Sequence, residues 1–295
     1  MYRSFRQSLI KEGHFVNQKP VFKSKEGKEA ILAVYDTVLK NWPVPYKEIN
    51  LETRYGNTYM IECGDESLPP LILLHGSSSN SSMWIGDVAT YSRKFRVFAV
   101  DMPGEPGKSQ DTRYDLTTAA YAEWLEDVHT GLGIKKASIA GISLGGWTAL
   151  KFAVTFPQRV EKLVLLCPSG VGPQNAAFLF YVIPMMLLGK WGKSKVAKKI
   201  YGSDDIPEEA LKYSNIIGNN FSPYVGLIPI FSDEELKRLT MPVLLIAGEK
   251  DFLLQSQKTV ERLSGLLPKA DVRLLPGIGH VLINQQDQIL DFLEK

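Results

Sequence analysis

The sequence predicts an α/β fold: a mostly parallel central sheet of about eight strands with helices on both faces, interrupted by a helical insert. Three observations predict it. Short apolar runs rich in β-branched residues recur as "LILLHG", "RVFAVD", "ASIAGI", "KLVLLC", "PVLLIAG" and "VRLLPG", a pattern of strands buried on both faces of a parallel sheet. Amphipathic stretches such as "AAYAEWLEDVHTGLG" and "SQKTVERLSGLL" separate them, so strand and helix alternate. Between residues 171 and 234 the alternation stops, and a Pro- and Gly-punctuated, helix-rich tract follows "LLCPSG".

Taken in order, residues 1–45 form an N-terminal arm with one helix expected in "KEGKEAILAVYDTVLKNW", which Pro43 ends. Its plainest reading is a surface helix packed on the core. "RYGNTYMIE" sets Gly-Asn between strand-like flanks and predicts an antiparallel hairpin for the first two strands, which makes the sheet mixed. Residues 46–170 and 235–295 supply the core, and 171–234 a helical cap. The sequence holds no internal repeat and no low-complexity tract.

Composition narrows the function classes. Against 34 Lys and Arg stand 32 Asp and Glu, a net charge of +2 in 295 residues, so no nucleic-acid partner is expected. Cys63 and Cys167 lie far apart in sequence, which argues against a disulfide framework and fits a reducing, cytoplasmic setting. The opening "MYRSFRQSLIKEGHFV" lacks the apolar core and cleavage site of a secretory signal. The most apolar segment, Ala176 to Leu188, has 13 residues broken by Pro184, short of the ~20 that cross a bilayer.

Chemistry enters with "SIAGISLGGWTAL". Gly141, Ser143 and Gly145 match G-x-S-x-G between a predicted strand and a predicted helix, where a sharp turn holds the serine in a strained conformation and brings neighbouring chain too close for side chains at the flanking positions. With 24 glycines in the chain, chance supplies such a match roughly 0.1 times, so the context has to carry the assignment. A serine hydroxyl needs a base. Of the four histidines, His14 lies in the arm, His129 ends a helix where a favourable interaction with the helix dipole is expected, and His75 precedes the serine in the chain. His280 follows the last predicted strand, on the carboxyl edge where sites gather in such folds.

The imidazole in turn needs a carboxylate to fix its tautomer. Asp251 follows "PVLLIAGEK" and gives the chain order Ser143, Asp251, His280 that the motif expects. Glu249 is its nearest rival, and Asp271 lies at the opposite end of its strand. The amide of Leu144, next after the serine, is the expected first donor of an oxyanion hole.

Together "LILLHGSSSNSSMW", "FAVDMPGEPGKS", "GISLGG", "PVLLIAGEKD" and "LPGIGHVL" resemble the successive signature segments of the α/β-hydrolase superfamily, and of its capped carboxylesterase-like members in particular, over about residues 46 to 295. By match to the residue after "HG", the resemblance implies Ser77 as the second oxyanion donor, although "SSSNSS" also reads as a helix-starting loop. In some relatives the acid follows the preceding strand; "LLCPSGVG" offers no carboxylate there. One departure is visible: "GEPGKS" carries an extra residue where many relatives have Gly-x-Gly-x-Ser, which gives that loop a different path.

The implied activity is a serine hydrolase cleaving small to medium apolar carboxylic esters through an acyl-enzyme. Alternatives are a lipase, thioesterase, amidase or carbon–carbon bond hydrolase on the same fold, or a ligand-sensing protein with little turnover. Phe178, Tyr181 and Met185 in the insert are candidates to line an acyl pocket, or simply to seal the cap to the body. The expected partner is a small-molecule ester; no cofactor and no metal are implied. "EPGKS" is not a phosphate loop, because Met102 stands where the first glycine belongs, and no His-Glu-x-x-His or paired cysteines appear.

Overall fold

The computed structural model describes residues 20–175, 177–202 and 206–295. Eight strands form one sheet: β1 (Tyr46–Thr53), β2 (Gly56–Cys63), β3 (Pro70–Leu74), β4 (Arg96–Val100), β5 (Ala137–Ile142), β6 (Val160–Leu166), β7 (Val243–Gly248) and β8 (Asp271–Leu275), in the order β1-β2-β4-β3-β5-β6-β7-β8. β1 and β2 are antiparallel to each other and β2 to β4; every later pairing is parallel. The parallel strands are joined by helices, among them α2 (Val88–Tyr91), α3 (Ala120–Gly131), α4 (Leu144–Thr155) and α9 (Ser256–Leu266), and α10 (Gln286–Glu294) follows β8.

Alternation within single strands builds the two layers. In β3, Ile72 and Leu74 face Trp124, Trp147 and Phe152 on one side of the sheet, while Leu71 and Leu73 face Tyr35, Tyr91 and Ile289 on the other. The hairpin is as expected, but its turn is Arg54–Tyr55, not Gly56-Asn57: Thr53 pairs with Gly56, whose φ of 102° opens β2. Asp127 explains the shift, since its carboxylate accepts from the Arg54 amide at 2.9 Å and from the Arg54 guanidinium.

The arm's helix, α1 (Lys25–Leu39), starts at Ser24, whose hydroxyl accepts from the Gly27 amide at 3.0 Å. Its buried face is divided. Tyr35 and Leu39 join the sheet-side core, whereas Ile31 packs with Ile217 and Phe221. The latter two belong to the tract between β6 and β7, which holds α5 (Ala177–Leu187), α6 (Gly189–Tyr201) and α7 (Glu208–Asn220) before α8 (Asp233–Leu236) leads back to the sheet. Among the described residues no helix is long and apolar enough to cross a membrane. Ala176 and His14 fall outside the described residues.

Candidate active site

Because β3 to β8 run parallel, their carboxyl ends share one edge, and Ser143, Asp251 and His280 lie in the segments that follow β5, β7 and β8 there. Ser143 joins β5 to α4 with φ 52° and ψ −108°, a conformation that costs an L-residue about 1–3 kcal/mol. The two flanking glycines are there for space. A Cβ on Gly145 would lie 2.3 Å from the Leu74 carbonyl oxygen, and one on Gly141 2.4 Å from the Gly145 oxygen. The Ser143 amide donates to the Leu166 oxygen at 2.9 Å, and the Ser169 amide donates to the Ser143 oxygen at 3.1 Å, tying the turn to the end of β6. Among the described residues the Ser143 hydroxyl makes no hydrogen bond; contacts of this kind are often long until a substrate tightens them.

Beyond β7, Asp251 is held by three donors. Its Oδ1 accepts from the Leu253 and Leu254 amides at 2.8 and 3.0 Å, and its Oδ2 from His280 Nδ1 at 2.7 Å. The Asp251 side chain is fully buried and that of His280 nearly so. A carboxylate only accepts, so the proton lies on Nδ1 and the neutral ring keeps an Nε2 lone pair able to take a proton. Glu249, the nearest rival, is exposed and its Oε2 is taken by the Gly277 amide at 2.9 Å. Asp271 pairs with Arg273 at the far end of β8. Neither reaches His280.

At the position after β6, where some relatives place their acid, stands Cys167 at φ 41°, fully buried. Its sulfur and the ligating atoms of Asp251 and His280 lie within 4.8 Å of one another, the one cluster of metal-ligating type among the described residues. Two of its donors already share a proton, a contact that any bridging cation would displace. Burial, followed by the Asp251 charge, pushes the thiol well above its ordinary range and keeps it neutral.

The oxyanion candidates flank the serine. Leu144 supplies the first N–H of α4, which has no partner inside the helix. Gly76 approaches the serine closely, since a Cβ there would lie 3.7 Å from Ser143 Cβ. The next residue, Ser77, is exposed and its amide has no acceptor among the described residues. The same loop also starts a helical turn, as the second reading of "SSSNSS" had it: Asn80 caps a 3₁₀ segment over Ser81–Gly86.

Three residues that shape this edge are silent in the sequence. His75, fully buried, donates from Nδ1 to the Gly76 oxygen and accepts at Nε2 from the Met102 amide, both at 2.8 Å, so it braces the β3 loop against the β4 loop and burial holds its pKa down. Asp101 accepts from the Ser81 and Lys108 amides and from the Tyr35 hydroxyl. Glu105, from the lengthened "GEPGKS" loop, accepts from the Ser78 amide at 2.6 Å while buried, and so holds Ser78 at φ 57° directly after Ser77. His129 departs from expectation: its Nδ1 donates to the Leu125 oxygen, its ring stacks on Phe152 at 4.6 Å, and burial pushes its pKa down to about 4. A neutral ring offers the helix dipole no charge.

Burial raises Glu105 from 4.5 to about 7, against the smaller opposing pulls of Arg113 and the Ser78 amide. Below pH 4.5 both folded and unfolded chains hold this proton; between 4.5 and 7 only the folded chain does, so stability falls as pH rises across that window. The loss levels off above pH 7 at about 3 kcal/mol. Glu105→Gln keeps an acceptor for Ser78 without the charge. Calorimetric melting is expected to show the variant gaining on the wild type from pH 5 to pH 8; parallel curves would refute the buried charge. Asp87, raised by burial to about 6, contributes equally to both proteins and cancels.

Of the insert residues, Phe178 and Tyr181 pack their rings on Phe252, at 6.0 and 5.3 Å, immediately beside Asp251. Met185 lies farther along α5, half-buried. The insert also touches the histidine loop directly, because the His280 amide donates to the Ile200 oxygen at 3.0 Å and Gly202 packs against the Gly279 backbone.

Known proteins share this fold. Carboxylesterase YbfK of Bacillus subtilis is 33% identical over 270 residues, covering 87% of this chain and 89% of that protein. Its crystal structure, as carboxylesterase CesB (YbfK), superposes with a TM-score of 0.81 at 31% identity over 91% of this chain and 98% of the other. Naproxen esterase (carboxylesterase NP) from the same organism gives 0.83 at 28% identity over 92% and 99%. The model of the alpha/beta hydrolase family matches residues 71–292. That match runs from β3 into α10 and takes in every strand end at which a candidate residue sits, and the chain belongs to the alpha/beta hydrolase family.

Proposed function

We propose that this protein is a carboxylesterase acting on small to medium apolar esters through an acyl-enzyme on Ser143. The observation that carries the reading is the buried 2.7 Å hydrogen bond from His280 to Asp251, on the same sheet edge as a serine forced to positive φ. Its relatives named above are carboxylesterases.

In the proposed cycle Ser143 Oγ attacks the acyl carbonyl carbon as its proton passes to His280 Nε2. The Leu144 and Ser77 amides receive the developing oxyanion, and removing one such donor typically costs about 10²- to 10³-fold in rate. His280 then protonates the leaving alcohol and the acyl-enzyme forms. Water gives a proton to the same nitrogen as its oxygen attacks the acyl carbon, and His280 returns that proton to Ser143 Oγ as the bond from Oγ to the acyl carbon breaks and the acid leaves, while Asp251 orients the ring and stabilises its cationic form in both halves.

Residues 171–234 act as the cap, with Phe178, Tyr181 and Met185 lining the acyl side. Cys63 and Cys167 are buried and unpaired, which fits a reducing compartment, and the cytoplasm is the proposed location.

Labelling with a fluorophosphonate, mapped by mass spectrometry, is expected to mark Ser143. A series of p-nitrophenyl esters should peak between butyrate and octanoate and fall at palmitate, with matched thioesters and amides slower. No label on Ser143 would return the chain to the non-catalytic reading; a preference for palmitate, thioester or amide would reassign the substrate.

A further inference from the structure

α5 and α6 each turn large apolar or cationic side chains to solvent. On α5, Phe180, Pro184 and Leu187 recur at helical spacing and are exposed, Phe180 to 80% and Leu187 to 83%. On α6, Trp191, Lys195 and Lys199 recur every fourth residue and are exposed, Trp191 to 59%. Lys195 Nζ lies 5.7 Å from the Trp191 ring centre. This is not the face that seals the insert to the core, for Phe178 and Tyr181 do that on Phe252. Large apolar groups gathered in water mark an interaction surface.

Charge selects the occupant. From Lys162 to Ser203 the sequence contains no acidic residue, while Lys190, Lys193, Lys195, Lys198 and Lys199 crowd into one helix. A second copy of the chain would bring the same positive row to the contact. Residues 1–19 of the arm also have the wrong sign, with Arg3, Arg6, Lys11 and Lys19 against Glu12. A surface that accepts aromatic and leucine side chains and carries negative charge is an anionic lipid layer, and aromatics beside lysines on helices lying in its plane match it on both counts.

We propose that the outer face of α5 and α6, with Phe180, Leu187 and Trp191 as apolar contacts and Lys195 as the cationic one, docks the protein on anionic lipid surfaces. The docked helix would lie beside the candidate site, because the Ile200 oxygen of α6 accepts from the His280 amide and Lys199 Nζ stands 5.2 Å from the Phe252 ring centre. Binding does not require that Ser143 be a nucleophile, and the two readings are tested apart.

The test is cosedimentation of the Ser143→Ala protein, which removes lipid hydrolysis as a complication, with vesicles of phosphatidylcholine alone and of phosphatidylcholine with phosphatidylglycerol in equal parts. Binding is expected to the anionic vesicles at low salt, and it should weaken as salt screens the charges. Lys195→Glu should weaken it by at least about fivefold, and Leu187→Ser with Trp191→Ser should do the same, all with unchanged circular dichroism. No sedimentation with anionic vesicles, equal binding to both vesicle types, or binding that ignores both sets of substitutions would overturn the proposal. So would concentration-dependent self-association in the ultracentrifuge that the same substitutions abolish, since the face would then belong to a second copy.

Discussion

Ser143→Ala is expected to lower kcat on p-nitrophenyl butyrate by about 10⁶-fold, with only the acceleration owed to binding and the oxyanion donors left behind. The size of the effect follows from what the side chain does: without Oγ no acyl-enzyme forms, and His280 has no nucleophile to deprotonate except water. The fold should be untouched. The positive φ at this position is imposed by the close approach of Gly145 to the Leu74 carbonyl and of Gly141 to the Gly145 carbonyl, and alanine bears that conformation as well or as badly as serine. Melting temperature and circular dichroism should therefore match the wild type. A variant hydrolysing the ester within tenfold of the wild-type rate would end the assignment of Ser143 as nucleophile.

The second large effect belongs to Asp251→Asn, for which a fall in kcat of about 10⁴-fold is expected. Asparagine fills nearly the same volume and can still accept from the Leu253 and Leu254 amides through its carbonyl oxygen. Toward His280, however, it presents an N–H in place of the oxygen now 2.7 Å from Nδ1. The imidazole then keeps its proton on Nε2, the nitrogen that has to accept the serine proton, and the base is lost without any loss of structure. Glu249→Gln is the control. That carboxylate binds the Gly277 amide and not the imidazole, so its activity should stay within a few-fold of wild type, and an equal loss in both variants would show that the acid had been misassigned.

What the letters reveal about this site depends on how far each residue's environment reaches along the chain. Gly141 and Gly145 are legible because the steric demand they meet comes from the turn they flank and from the neighbouring β3. Alternation of apolar runs gives the strands, and the parallel sheet then sends Ser143, Asp251 and His280 to one edge. Glu105 is illegible, since a glutamate between Gly104 and Pro106 reads as solvent-facing until the β4 loop is seen folded under Ser78. His129 misleads for a similar reason: its neighbour Phe152 comes from the next helix, and that contact makes it a buried neutral ring. The hairpin turn moves to Arg54–Tyr55 because Asp127, on α3, captures the Arg54 amide. The arm helix was legible as a helix, but its partners lie in α7, which no local pattern announces.

That last separation bears on how the chain reaches its native state. Lys23 donates to the Gly218 oxygen across 195 positions, and the apolar stripe of α1 finds Ile217 and Phe221 at similar remove. On a ribosome, α1 emerges well before α7, so part of its docking surface does not yet exist when the helix appears. Loop closure over such a distance makes its attachment a late event. Until then the greasy side of the nascent helix is left without cover, a natural target for a chaperone during synthesis.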